Sequence, residues 1–236
     1  MKKVISLTLI LGLLVLPWNH LCGQDSDSVP QAKHYSPLGL WGLGLKATTD
    51  GFGVELVKGF GQRLNIRIGY STLAIPFSQE IPLDGFSARA DAKFKFGGAN
   101  LLIDFYAVKN VIHITGGVLQ NAMKHSVTIT PTSDYQFGDI LVPAADLGSL
   151  EATVTPEYKF SPYVALGFGN TLSRQHRVSF NFELGALYHG APQVNLSGTN
   201  MLGPMASPNN AQVLMTAIGQ YKWYPMISMQ LSFRII

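Results

Sequence analysis

The sequence predicts an all-β protein, an eight-stranded antiparallel transmembrane β-barrel, on three observations. First, the 236 residues are 47% hydrophobic and only 13% charged, yet no stretch after the first 17 is continuously apolar for the roughly 18–20 positions that a membrane helix needs. Second, the apolar residues alternate with polar, small or charged ones at a period of two. That spacing gathers them on one face of a strand and would scatter them around a helix. Third, apart from the first hairpin, the gaps between alternating segments divide into long and short sets, as the two ends of a membrane barrel require.

The N-terminus stands apart. Met1-Lys2-Lys3 supplies positive charge, Val4 to Leu16 is apolar, Pro17 ends the run, and Leu21-Cys22-Gly23-Gln24 follows. This is the three-part layout of an export signal, with cleavage expected after Gly23. Residues 1–23 are therefore read as the signal peptide, 24–37 as a polar periplasmic leader and 38–236 as the barrel. Leu21 stands before Cys22 where a lipoprotein signal needs a small residue, so lipidation is not expected. Cys22 is the only cysteine, which leaves the mature chain without disulfides or thiol chemistry. Removing Lys2 and Lys3 takes the basic count from 17 to 15 against 14 acidic residues, a net charge of +1. That balance argues against nucleic acid as a partner.

Each segment shows two faces. Leu38–Thr48 sets Trp41, Leu43, Leu45 and Ala47 against Gly42, Gly44 and Lys46, and Asp50-Gly51 signals a hairpin. Phe52–Phe60 sets Phe52, Val54 and Leu56 against Gly53, Glu55 and Gly59. In the third segment Leu64, Ile66, Ile68 and Tyr70 alternate with Asn65, Arg67, Gly69 and Ser71. Ala88–Tyr106 carries its apolar residues first at even positions (Ala90, Ala92, Phe94, Phe96) and, after Gly97-Gly98, at odd ones (Leu101, Ile103, Phe105). A one-residue bulge at the glycines is expected to cause that shift. The remaining segments run from Val111 to about Thr130, Ala152–Gly169, Arg177–Leu196 and Trp223–Ile236. With both ends in the periplasm, the outer gaps are Asp50-Gly51, Ala74–Gly85, Pro131–Glu151 and Ser197–Lys222. The inner ones are Gly61-Gln62, Val108–Asn110 and Asn170–His176.

An unpaired charge facing lipid is costly, so the charged faces are assigned to the lumen. The expected polar network comprises Glu55, Arg67, Arg89, Asp91, Lys93, Asp104, Glu157, Lys159, Arg177, Glu183 and Arg234, with Lys46 and Lys95. Eight strands leave an interior just wide enough for side chains, so a plugged lumen is expected rather than a wide pore. Tyr70, Phe105, Tyr106, Tyr188, Trp223 and Tyr224 are candidates for the interfacial girdles. A soluble β-sandwich would instead pair the apolar faces in a dry core. The export signal, the long segments and the aromatic residues near their ends favour the barrel.

Arg63-Leu-Asn-Ile-Arg-Ile-Gly-Tyr70, Ser161-Pro-Tyr-Val-Ala-Leu-Gly-Phe-Gly169 and the final alternating segment resemble small outer-membrane barrels of the OmpA/OmpW-like eight-stranded class. The mature start at Gln24 is similar to export signals of the Bacteroidetes. The resemblance implies a Gram-negative outer-membrane location, with lipid, lipopolysaccharide and the barrel-assembly machinery as partners. Members usually end in Phe or Trp. This chain ends Phe233-Arg-Ile-Ile236, so recognition by that machinery would rest on Phe233. The class covers many activities, so a role does not follow from it.

No zinc-protease, phosphate-loop or serine-nucleophile motif occurs in the mature chain, and no cofactor or metal site is expected. The only His-x-Ser, the spacing that puts both on one strand face, is His34-Tyr35-Ser36, ahead of the first segment. Two outer connections are unusually apolar: Ile140, Leu141 and Val142 in one, Met201, Leu202 and Met205 in the other. They form either a contact surface for an envelope partner or a cap packed on the barrel. Pro208–Gln220 is expected to form a short helix, with Pro208 in its first turn. Three functions are compatible with this reading: a structural or adaptor barrel without catalysis, a narrow channel or carrier for small apolar molecules, and a lipid-modifying barrel enzyme.

Overall fold

The computed structural model describes residues 39–61, 63–83, 86–108 and 111–235. The export signal, the leader and parts of three expected turns (residues 62, 84–85 and 109–110) lie outside the described residues.

The chain forms β1 Leu40–Thr48, β2 Gly51–Phe60, β3 Leu64–Leu83, β4 Phe86–Val108, β5 Ile112–Gln120, β6 Lys124–Pro131, β7 Tyr135–Phe137 and β8 Ile140–Val142. Helix α1 Ala144–Leu147, β9 Leu150–Thr155, β10 Phe160–Gly169, β11 Val178–Tyr188 and β12 Gln193–Gly198 follow. A 3-10 turn at Asn200–Ala206, helix α2 Pro208–Ile218 and β13 Trp223–Arg234 complete it. All ladders are antiparallel. One eleven-stranded sheet contains every strand except the small β7–β8 hairpin. Within it, ladders run β1–β2–β3–β4–β5–β10–β11–β13, and β13 pairs with β1, from Gly42 opposite Arg234 to Thr48 opposite Ser228.

The period-two pattern becomes a two-faced wall. Along β1 Gly42, Gly44 and Lys46 are buried while Leu43 and Leu45 are exposed; along β10 Ser161, Tyr163, Ala165 and Gly167 are buried while Val164, Leu166 and Phe168 are exposed. The buried side is the polar or small one. This inverts the arrangement of a water-soluble sheet.

The structure differs from the sequence reading at one end, here called the upper end. The expected loop Ala74–Gly85 is largely strand: β3 continues to Leu83 and pairs with all of β4 above the circuit. Three expected segments each divide in two. The first breaks between β5 and β6, the second between β9 and β10, the third between β11 and β12. The separated pieces form an extension in the order β12–β9–β6–β4 beside upper β3. Segments of some twenty residues exceed the roughly 9–11 that a tilted strand needs to span a bilayer. Period two does not mark where one use of a strand ends and another begins.

The expected bulge at Gly97-Gly98 is also corrected. The β3–β4 ladder runs from Leu64 opposite Phe105 to Leu83 opposite Phe86 without a shift. At the glycines β4 instead changes its other neighbour, from β6 (through Lys95) to β5 (from Asn100). Gly98 has φ 148°, and a Cβ there would lie 1.7 Å from the Gln120 carbonyl oxygen, so the handover requires glycine. The faces therefore stay continuous while their chemistry inverts. Below the glycines the outward side carries Ile68, Tyr70, Leu101 and Ile103; above them it carries Ser78, Glu80, Arg89 and Lys93. The opposite side changes from Arg67, Ser71, Asn100 and Asp104 to Ile75, Phe77, Ala88, Ala92 and Phe94.

Helix α2 forms as expected. The Ser207 hydroxyl caps it by accepting from the Asn210 amide, and Pro208 occupies the first turn, where its missing N–H leaves no bond unmade.

Candidate functional site

The candidate site is a buried charge cluster centred on Arg67. The guanidinium is 1% exposed and reaches five other strands. Nε and Nη2 donate to Asp104 Oδ1 of β4 at 3.1 and 2.8 Å, and Nη2 donates to Glu183 Oε1 of β11 at 2.5 Å and Thr115 Oγ1 of β5 at 3.3 Å. Nη1 donates to Glu55 Oε2 of β2 at 3.3 Å and Gln230 Oε1 of β13 at 3.0 Å. Adjacent strands lie about 4.8 Å apart. In a flat sheet β11, four strands from β3, would be about 19 Å distant. One side chain meets all five strands because the circuit curves around it.

The surrounding bonds complete the network. Lys46 Nζ lies 2.8 Å from Glu55 Oε1, which also accepts from Asn100 Nδ2 at 3.0 Å. Glu183 Oε1 accepts from Asn181 Nδ2 at 2.9 Å and faces His113 Nε2 at 3.1 Å. Asp104 accepts from the Thr115 and Thr171 hydroxyls at 2.9 and 3.0 Å. Thr171 in turn bonds the Tyr106 hydroxyl. Two cations thus meet three carboxylates. Withdrawing such groups from water costs several kcal/mol per ion, and is offset only when the geometry is good and the remaining lone pairs are satisfied. Glycine makes the room: a Cβ on Gly69 would lie 2.4 Å from Glu55 Cγ, and one on Gly167 2.0 Å from His113 Nε2.

Apolar layers close the cluster on both sides. Above it pack Leu102, Leu119, Met123, Tyr163, Leu187 and Met226, with Phe96 and Tyr224 against them. Below it Leu172, from the β10–β11 connection, packs on Leu40 and Val57.

The structure places the expected network residues in two groups. Glu55, Arg67, Asp104 and Glu183 meet as described, with Lys46. Arg89, Asp91, Lys93 and Lys95 do not join them. Arg89, Lys93 and Lys95 are exposed and Asp91 is half-buried, on the outward face of the upper extension. Arg89 lies 3.8 Å from the exposed Glu80. The reason is the absent bulge: without a shift, odd positions of β4 stay outward. Glu157 and Lys159 are exposed in the β9–β10 link, where Glu157 accepts from the Ala191 amide at 2.7 Å. Arg177 is exposed just before β11. Arg234 is half-buried at the lower end, donating to the Arg174 carbonyl oxygen.

Sequence reasoning missed Asn100, His113, Thr115, Thr171, Asn181 and Gln230. Four of them carry a usable signal, since each lies an even number of positions from another cluster member on its own strand; Gln230 stands alone on β13. Asn181 stands two from Glu183, and Asn100 four from Asp104. Thr171 lies beyond the end of β10 and has no such signal.

Asp104, His113 and Glu183 bring ligand atoms within 4.8 Å of one another, a donor set that can hold a cation. Arg67 Nη2 already bonds the facing oxygens of both carboxylates, so the guanidinium supplies the positive charge there. His113 is 0% exposed and packs on the Tyr106 ring at 4.8 Å. Of the expected contact residues, Ile140, Leu141, Met201 and Met205 are exposed, and Val142 and Leu202 are half-buried. Asn200 Nδ2 ties the 3-10 turn to the Ala145 carbonyl at 2.9 Å without covering Met201 or Met205.

The class that fold and cluster define is an antiparallel all-β protein of barrel type with a buried charge cluster. Solved structures share the fold, two of them from Acinetobacter baumannii. Acinetobacter baumannii CarO2 matches with a TM-score of 0.56 at 18% identity, over 85% of this chain and 100% of that one. Acinetobacter baumannii CarO matches with a TM-score of 0.53 at 16% identity, over 84% and 99%. No protein-family model matches the chain, and no curated protein matches it in sequence.

Proposed function

We propose that the chain is a closed eight-stranded barrel of a Gram-negative outer membrane, without catalysis, acting as a structural or adaptor protein whose outer extension carries partner contacts. The observation that carries the reading is the Arg67 cluster between two apolar layers, side chains that occupy the interior where a channel would need water. The inversion of the faces at Gly97-Gly98 supports the membrane setting. A strand that passes from lipid into water must exchange apolar for polar residues on its outer face, with no change of register. The upper end is then extracellular and the lower end periplasmic. Lipid, lipopolysaccharide and the assembly machinery are its expected partners. In planar bilayers the folded barrel is expected to seal, giving no steady conductance above the bare membrane. A stable open level would sink the plugged-barrel reading.

A specific observation favours a second reading, binding of a small apolar molecule. The inner face of the extension carries Ile75, Phe77, Ile81 and Phe94, all between 37% and 54% exposed. This apolar surface lies above the Arg67 cluster and would hold such a molecule there.

The extension also predicts a pH response. His125 of β6 and His189 after β11 lie outside the spanning strands, and each has a buried Nδ1 without a hydrogen-bond partner. Burial holds both below the usual histidine range, and for His125 the facing His189 adds to it. His125 otherwise packs on Phe94 and Phe96, and the His189 amide bonds the Lys222 carbonyl. The folded chain takes up these protons less readily than the unfolded one. Above the ordinary value of 6.5 both states are neutral and nothing is lost; as pH falls through and below it, folded stability declines. Limited proteolysis of the extension is expected to accelerate several-fold between pH 7 and pH 5 while the eight strands stay protected. Cleavage at an unchanged rate would contradict this.

A further inference from the structure

The lower rim concentrates one sign of charge. Lys58, Arg63, Arg177 and Arg234 stand there, at strand ends or in the connections, exposed or half-buried. Every carboxylate of the described residues that is not buried falls between residues 80 and 157, in the upper extension and its connections. Asp50, Glu55, Asp104 and Glu183 are the buried ones. The lower rim is therefore basic with no exposed acid to balance it among the described residues.

Lys58 shows what this rim faces. It lies on the outward face of β2, opposite Trp41 of β1. Its ammonium is 4.6 Å from the Trp41 ring centroid and 4.9 Å from that of Phe60. Phe60 is 41% exposed. A cation held between two rings at the edge of an apolar wall matches the polar boundary of a lipid layer, where aromatic and basic residues anchor a spanning segment. Arg63 and Arg177 add guanidinium groups, whose forked donors suit phosphate oxygens.

We propose that the lower rim is a binding surface for anionic phospholipid, with headgroup phosphates taken by Lys58, Arg63 and Arg177. The position of Lys58 on the lipid-facing wall, rather than at a turn tip, selects lipid over a soluble acidic protein. The proposal rests on the membrane-barrel reading and its orientation. The test uses the full folded chain in detergent, mixed with equal amounts of phosphatidylglycerol and phosphatidylcholine of the same acyl chains, with retained lipids counted by native mass spectrometry. Wild type is expected to favour phosphatidylglycerol by at least about fivefold, the order expected for one basic residue at an anionic surface. The variant K58Q/R63Q/R177Q is expected to retain both lipids equally, and K93Q/K95Q/K124Q, altered at the upper end, to behave as wild type. Heat-modifiable migration of the same samples reports separately on the barrel, so failure of that reading is distinguishable. Equal retention by wild type, or undiminished preference in the lower-rim variant, would overturn the proposal and leave the rim to a soluble acidic partner.

Discussion

Arg67→Ala is expected to leave the chain unable to hold its folded form in lipid, losing the compact, heat-modifiable band on gels. The substitution removes the donor that Glu55, Asp104 and Glu183 share and leaves three buried carboxylates, of which only Glu55 keeps a lysine partner, Lys46. Breaking one buried ion pair costs about 3–5 kcal/mol. The whole stability of an ordinary domain is about 5–15 kcal/mol, and here three carboxylates lose a partner at once. Arg67→Lys keeps the charge but concentrates it at one atom, which cannot span partners on five strands, so it should fall between Ala and wild type. A control separates lost charge from lost packing. Arg67→Met combined with Asp104→Asn and Glu183→Gln removes the guanidinium with two of its opposing carboxylates, keeps the Lys46–Glu55 pair, and is expected to fold better than Arg67→Ala. Urea titration in vesicles measures all four proteins. Wild-type stability in Arg67→Ala would show that the cluster does not hold the circuit together.

The second large effect concerns the outer wall. Ile68 and Ser78 lie on the same face of β3, ten positions apart and both exposed. In water, arginine at either site would be nearly neutral, as surface changes usually are. If Ile68 lies within the bilayer and Ser78 above it, the two substitutions part company. Ile68→Arg is expected to cost about 2–4 kcal/mol of folding stability in lipid vesicles, and Ser78→Arg less than about 1. Equal, small effects at the two positions would remove the membrane assignment and return the exposed apolar wall to some other partner. The comparison is sharp because burial within the chain is similar at both sites, so only the surrounding solvent distinguishes them.

Much of the fold is legible in the sequence. Alternation marked segments that each hold at least one strand of the sheet, and Asp50-Gly51 and Pro208 marked a turn and a helix that form where expected. Charge on one face of a strand pointed to Glu55, Arg67, Asp104 and Glu183, which meet. The same argument failed for Arg89, Asp91, Lys93 and Lys95. Their side of β4 carries charge because it leaves the apolar band, not because it turns inward. Both causes produce the same shift of apolar residues from even to odd positions.

What the sequence by itself determined is which residues share a face, because a pleated strand sends alternate side chains to opposite sides whatever surrounds it. What only the tertiary structure decided is which face points where, and which strands converge. A period-two pattern is unchanged when inside and outside are exchanged, so polar residues mark the interior in one stretch of β3 and β4 and the outside in the next. The meeting of Arg67 with β2, β4, β5, β11 and β13 arises from the curvature of the sheet, which brings together residues up to 163 positions apart. No local spacing encodes those contacts.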